Sequence, residues 1–432
     1  MRATIHRRGA LKVPEETYRN CILHGWLVSP YTAKVRSLLA HKLIPFKDST
    51  PSAIELYMRV RPSVGRVIMP TARLASGQWR QDSALMCDEI EAEHPEPSCK
   101  PPGAAQNLAS LLLENYADEW LPMLALHHRW NTATNAEWAV GEFGRCGFPF
   151  LPSMAATRLV APFASKMKSF RRVQGISSAT HDGLDRHSAS LISNLQAHLS
   201  ATNQPFLLGG RPCRGDFALY GPLWAHLFRD PFSRPLFESA PEVVRWIERL
   251  HGHAADPAFP ELPCRVEPPP PETSAGQLAG NKPGLFLPAD DVPQSLDPVF
   301  RTIFEEQWPF LAALSDALDA HLDEKAVDEE DVTRVPRALA YAPFAVGGAQ
   351  GERRQLTYSA WRLRRPLDFY ESLEMAPSRS LELAKADAWL TRLGAFEAFR
   401  DLKPRWRIER RNELPQKQES LYARRAQHAG RW

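Results

Sequence analysis

Residues 20–43, NCILHGWLVSPYTAKVRSLLAHKL, decide how the chain is read. From Asn20 to Val28 the run is apolar with β-branched and aromatic members, and it predicts a strand. Ser29 and Pro30 end that run. Proline suits a first helical position and serine the cap before it. Val35, Leu38, Leu39 and Leu43 then recur at helical spacing. A strand that feeds straight into a helix is the opening of an α/β unit.

The pattern continues outward. A short strand is predicted at Ile44–Lys47, a helix from Pro51 to about Val60, and a third strand across RVIMP (66–70), ending at Pro70. ARLASGQWR (72–80) reads as strand, turn and strand, with Ser76-Gly77 at the turn. QDSALMCDEIEAEHP (81–95) reads as a helix with Asp82 and Ser83 at its start. The order β-α-β-α-β-β-α gives a small α/β domain over residues 18–97. Residues 104–255 carry long helical patterns and predict an all-α domain. VEPPPPETSAGQLAGNKPG (266–284) reads as a linker. A mostly helical extension follows over 285–412, with a tight turn at Gly347-Gly348, and a basic tail over 413–432.

Composition narrows the classes. Hydrophobic residues make up 44% and charged residues 24%, as in ordinary soluble domains. A net charge of +3 gives no chain-wide argument for nucleic acid or membrane. From Lys403 to Trp432 nine Lys or Arg face three Glu, which reads as solvated surface or a weak contact to phosphate or an acidic partner. The cysteines at 21, 87, 99, 146, 213 and 264 form no C-x-x-C pair, which suits a reduced, cytoplasmic protein. No run of eighteen apolar residues occurs. The start MRATIHRRGALKVP lacks the apolar block of a secretory signal; an organelle transit peptide and a plain disordered start both remain open.

At SPYTAKVR (29–36) the chain resembles the thioredoxin-like domain of the glutathione transferases, whose serine-type and cysteine-type classes carry the reactive residue where Ser29 stands. Met69-Pro70 is similar to the family's strand-ending residue and cis-proline, Gly77 to its hairpin turn, and Asp82-Ser83 to its acidic-Ser pair. PFLLGGRPCRGDFALYGPLWAHL (205–227) and PEVVRWIERL (241–250) resemble segments of the family's helical domain. The resemblance covers roughly residues 18–255. It implies a thioredoxin-like domain followed by an all-helical domain, glutathione as co-substrate, a small apolar electrophile as partner, and a homodimer.

The chemistry asked of such a site is the activation of a thiol. A free thiol has a pKa of about 8.5, and lowering it by about two units takes roughly 2.7 kcal/mol. Ser29, at a helix start, reads either as a donor to the thiolate or as an ordinary cap. The resemblance implies that Met69 pairs with the tripeptide backbone beside Pro70 and that Ser83 receives the γ-glutamyl carboxylate, with Asp82, as a partner of the ligand's ammonium, and Gln81 as further candidates. Lys42 is a candidate for the glycyl carboxylate or a solvated charge. Tyr31 lines the electrophile pocket or packs in the core. His127 and His128 with Arg129 could be read as a metal or base site, but neighbours on a helix are expected to face different directions, so no metal site is expected there.

Three departures from the family pattern stand out. Cys213 replaces a Ser or Thr cap, with Asp216 retained, at a cost on the order of 1 kcal/mol. Glu89 stands where an aromatic is common. About 170 residues follow the usual end of the architecture. These features leave a second reading open, a non-catalytic module of the same fold used in interaction or sensing. A reductase is disfavoured, because Ser29 replaces the cysteine it requires.

Overall fold

The structure, a computed structural model, describes residues 18–251, 284–326, 331–411 and 420–426. The basic start, the linker and most of the basic tail lie outside the described residues. The α/β unit has the expected element order: β1 Cys21–His24, α1 Pro30–His41, β2 Phe46–Ser49, α2 Ala53–Glu55 running through Leu56–Val60 into α3 Arg61–Val64, β3 Thr71–Arg73, β4 Trp79–Gln81 and α4 Ser83–Glu93. The sheet order is β2-β1-β3-β4, with β1 parallel to β2 and antiparallel to β3. The third strand begins after Pro70 rather than ending at it. Proline has no N–H to give to the ladder, so pairing with β1 starts at Thr71 opposite His24. The Met69–Pro70 peptide is cis. Gly77, at φ +86°, makes the β3–β4 turn.

The helical part runs α5 Ala104–Glu119, α6 Pro122–Asn131, α7 Ala133–Gly147, α8 Ser153–Val173, α9 His181–Thr202, α10 Arg214–Pro222 and α11 Pro241–Leu250. Helix α5 is its axis, with every residue but Leu111 and Glu119 buried. Helix α10 passes so close to the start of α1 that a Cβ on Gly221 would lie 2.6 Å from the Pro30 carbonyl oxygen. At the other end of α10, Asp216 accepts from Cys213 N (2.8 Å), Leu207 N (3.0 Å) and Trp246 Nε1 (2.8 Å). That carboxylate ties down a helix start whose cap is a thiol. Glu89 accepts from Tyr18 and Arg80, a polar tie where an aromatic would have packed.

The extension is mostly helical, as expected, and adds two small sheets that hydrophobic periodicity had not marked. Its elements are α12 Asp297–Thr302, α13 Trp308–Lys325, β5 Asp331–Val332, β6 Ala338–Val346, β7 Ala349–Leu356, α14 Thr357–Glu374, α15 Ser380–Leu393, α16 Phe396–Asp401, β8 Trp406–Arg411 and β9 Ser420–Arg425. Gly347 and Gly348, at φ +52° and +79°, make the two-residue β6–β7 turn, where a left-handed conformation is needed twice. Part of the tail expected as solvated surface is instead β9, the middle strand of the sheet β5-β9-β8. Trp406, Ile408 and Ala423 face the core from that sheet. No helix among the described residues is long and apolar enough to cross a membrane.

The extension shares its core with the first part of the chain. Trp120 of the helical part meets Phe310 and Phe344 of the extension at ring-centroid distances of 6.0 and 5.9 Å. His187 on α9 bridges the Tyr116 hydroxyl (2.6 Å) and Glu306 (2.6 Å). The start of α5 is Gly103, which has no side chain to cap it, and Asp290 supplies the cap from the extension by accepting from Ala105 N (3.0 Å) and Gln106 N (2.9 Å). Asp290→Ala is therefore expected to cost about 1–2 kcal/mol, read as a lower urea midpoint at unchanged slope. An unchanged midpoint would show that the contact does not cap α5.

Candidate functional site

The sheet register builds the site. His24 pairs with Thr71 and Thr71 with Gln81, so the residues just beyond these pairs, Gly25, Pro70 and Asp82, leave the sheet at the same end. The chain from Gly25 reaches Ser29, the cap of α1, whose Oγ accepts from Thr32 N at 3.3 Å. Asp82, at φ +78°, is the cap of α4, and its Oδ1 accepts from Ala84 N (3.0 Å) and Leu85 N (3.2 Å). Capping thus falls to Asp82. Ser83 is buried at the first helical position, with its own N–H and hydroxyl outside that cap. Gln81 Oε1 accepts from Arg66 Nε at 3.2 Å. Ser29, Met69, Pro70, Asp82 and Ser83 lie together at this end of the sheet.

The extension reaches the same place. The other oxygen of Asp82 accepts from the Tyr358 hydroxyl and pairs with Arg410 Nη1 at 2.7 Å. Both partners of that ion pair are buried. Burial alone would raise the Asp82 pKa, but Arg410 and Arg362 outweigh it and hold the carboxyl below its usual range. Burial, followed by the nearby charges of Arg410 and Arg337, weakens the hold of Arg66 on its proton. Tyr358, Arg362 and Arg410 were not legible as site residues. The available signal was general: an acid destined for burial needs a partner, and the arginines of WRLRR (361–365) and RWRIERR (405–411) are spaced to supply one.

Beneath the site lies a buried ionic cluster. Lys34 donates to Glu114 and Asp118, each at 2.7 Å. Glu114 also accepts from Arg214 (2.6 Å), and Asp118 from Arg362 (2.7 Å). Asp88 joins Arg214 to Arg365. Burial would raise the Glu114 pKa, yet Arg214 and Lys34 drive it well below the carboxylate range. Tyr31 donates to the Asp118 carbonyl at 2.9 Å, so its hydroxyl is spent inside this cluster. Glu119, close by, is pushed up to about 7 by burial.

Other candidates resolve differently. Lys42 is buried, pairs with Glu91 at 2.8 Å and donates to the carbonyls of His94 (2.6 Å) and Pro97 (3.0 Å), so it is neither a solvated charge nor a ligand for glutathione. His127 and His128 converge on Asp185 at 2.9 and 3.9 Å, against the expectation that they diverge, because α9 crosses α6 beneath both rings. Burial lowers both histidine pKa values, that of His128 to about 4. Cysteines 21, 87, 99, 146 and 213 are buried.

A mixed sheet with a serine-capped helix at its end, a cis-proline beside it and a helical domain behind defines a glutathione-transferase fold. Residues 23–98 match the glutathione S-transferase N-terminal domain and residues 157–253 the glutathione S-transferase C-terminal domain. Residues 23–98 and 157–253 thus carry the two glutathione S-transferase domains, and a long extension follows them. Among solved structures it is similar to a glutathione S-transferase from Methylobacterium radiotolerans in complex with glutathione sulfonate, at 20% identity over 57% of this chain and 96% of that one, TM-score 0.36. It is similar to a β-etherase from Sphingobium sp. strain SYK-6, at 16% identity over 56% and 98%, TM-score 0.39. A third likeness is to maleylacetoacetate isomerase from Anaeromyxobacter dehalogenans with bound glutathione, at 16% identity over 54% and 91%, TM-score 0.30. No curated protein matches the chain.

Glu119 yields a pH test. Its pKa is raised in the folded chain, so its contribution to stability is full below the unfolded value of 4.5 and is lost as pH rises through about 7. Glu119→Gln is expected to match the parent near pH 4.5 and to exceed it by roughly 1–3 kcal/mol at pH 8 in urea unfolding. Equal midpoints at pH 8 would contradict the raised value.

Proposed function

We propose that the chain binds glutathione at the end of its four-stranded sheet and that Ser29 holds the sulfur as a thiolate for attack on a small apolar electrophile. The observation that carries this reading is the state of the Ser29 hydroxyl. Its oxygen accepts from Thr32 N, and among the described residues it donates to no acceptor, so its hydrogen is left for a sulfur at the positive end of α1. Met69, beside Pro70, offers backbone groups to the tripeptide, and Ser83 at the start of α4 offers the γ-glutamyl carboxylate a positive helix end. Near Ser29, Trp26 and Val28 belong to a packed apolar cluster with Met69, Trp130, Phe143 and Phe163. The buried cysteines, none of them in a C-x-x-C pair, fit a cytoplasmic location. A homodimer would pair through a face other than that of α5 covered by α14 and α15.

The test is Ser29→Ala. Turnover with a generic electrophile is expected to fall tenfold or more, about 1.4 kcal/mol, while the upward shift in Tm with millimolar glutathione persists. Full turnover in the variant would remove Ser29 from the mechanism.

One observation favours the second reading, a non-catalytic module. Tyr358 and Arg410 already occupy the Asp82 carboxylate that the ligand's ammonium would use. If that contact keeps glutathione out, the parent chain shows no shift with glutathione and Arg410→Ala gains one. A shift in the parent supports the transferase reading.

A further inference from the structure

The C-terminal half of α6 lies against the first turns of α9. Two imidazoles come from α6, His127 and His128, and from α9 come Asp185 and, one turn before it, His181. His127 Nε2 stands 2.9 Å from Asp185 Oδ1, and His128 Nε2 stands 3.9 Å from the same oxygen. All three atoms lie within 4.8 Å of one another. The ring of His181 lies 5.1 Å from that of His127.

The geometry points to a divalent-cation site formed by His127 Nε2, His128 Nε2 and the Asp185 carboxylate, with zinc the best-suited ion. Zinc bonds to imidazole nitrogen and carboxylate oxygen are about 2.0–2.2 Å, so two ligands of a tetrahedral ion stand about 3.4 Å apart. The observed separations of 2.9 and 3.9 Å bracket that spacing. Two imidazoles and one carboxylate are a donor set that imidazole-preferring first-row ions accept with positions left for water. The imidazoles are largely buried and Asp185 is 60% exposed, so one side of the site is preformed and the other is open to solvent.

The surroundings fit a ligand shell. Asn131 Nδ2 lies 2.8 Å from His127 Nδ1 and 3.0 Å from His181 Nε2, so one amide orients two rings. Binding at Nε2 moves the imidazole proton of His127 to Nδ1, and the Asn131 amide turns its oxygen to accept it. Arg171, which now donates to Asn131 Oδ1, gives up that bond. His128 exchanges its contact with the Ser188 hydroxyl (2.8 Å) for the ion, while Ser188 keeps its bond to the Leu184 carbonyl (2.8 Å). The ion would tie α6 to α9 without touching any residue of the proposed glutathione site.

The experiment uses the full chain, tag removed and stripped with chelator, titrated with Zn²⁺ by calorimetry and with Co²⁺ by visible absorption. One zinc per chain is expected at this site, with a raised Tm and the absorption bands of a low-coordinate cobalt centre. Asp185→Asn and His128→Gln are each expected to weaken that binding at least tenfold, with the metal-free circular dichroism unchanged. Asp185→Asn is the safer variant, since its side chain is largely exposed. Zinc binding that is absent in the parent, or equally tight in Asp185→Asn, overturns the proposal. Either result leaves the glutathione reading untouched, because Ser29→Ala and the glutathione shift are measured on metal-free protein.

Discussion

Two carboxylates on one buried helix hold the chain together. Glu114 and Asp118 stand one turn apart on α5, and Lys34 from α1, Arg214 from α10 and Arg362 from α14 converge on them. Such charges are costly to desolvate, and the cost is offset only when every partner is in place. Removing one partner from a pair of this kind strands a buried charge, at about 3–5 kcal/mol. The cluster therefore acts less as a source of net stability than as a condition of assembly. The α/β unit, the helical domain and the extension must each deliver their cation for the other two to be satisfied.

That condition explains why the extension reaches the sheet end at all. Arg362 is fixed on α14 by Asp118, and the same helix carries Tyr358 one turn earlier, which places its hydroxyl on Asp82. Ser359 on that helix donates to Glu119 at 2.5 Å, and Arg353 from the preceding strand donates to the Glu119 carbonyl at 2.6 Å while its guanidinium lies 4.7 Å from the Trp120 ring centroid. Helix α14 is thus anchored along its first two turns by groups on α5. The contact with Asp82 follows from that anchoring.

Much of the first 250 residues was legible because local signals and tertiary demands agree there. Ser29-Pro30 marks a helix start by capping chemistry alone, and Gly77 marks a turn by its backbone freedom. RVIMP reads as a strand because Val67, Ile68 and Met69 are apolar, whereas the ladder opens only at Thr71, where an N–H is available after Pro70. Lys42 was misread because burial of a lysine depends on carbonyls of His94 and Pro97, more than fifty residues away. His127 and His128 were misread because adjacent positions on one helix say nothing of a second helix crossing beneath both. In the extension, β8 and β9 are rich in arginine, and charge obscured their alternation. The residues that complete the sheet end, Tyr358 and Arg410, lie more than 270 positions from Asp82, beyond the reach of any local pattern.

The strand order of the last sheet bears on how the molecule is made. Strand β9 is the last of the three to leave the ribosome, yet it lies between β5 and β8. Domains fold as units during synthesis, the N-terminal ones first, so the thioredoxin-like and helical parts can be complete while β8 still lacks its partner. Arg410 belongs to β8, and β8 gains its ladder only when Ser420–Arg425 arrive. The nascent chain therefore passes through a stage in which the sheet end is formed and uncovered, and Ser420–Arg425 close it.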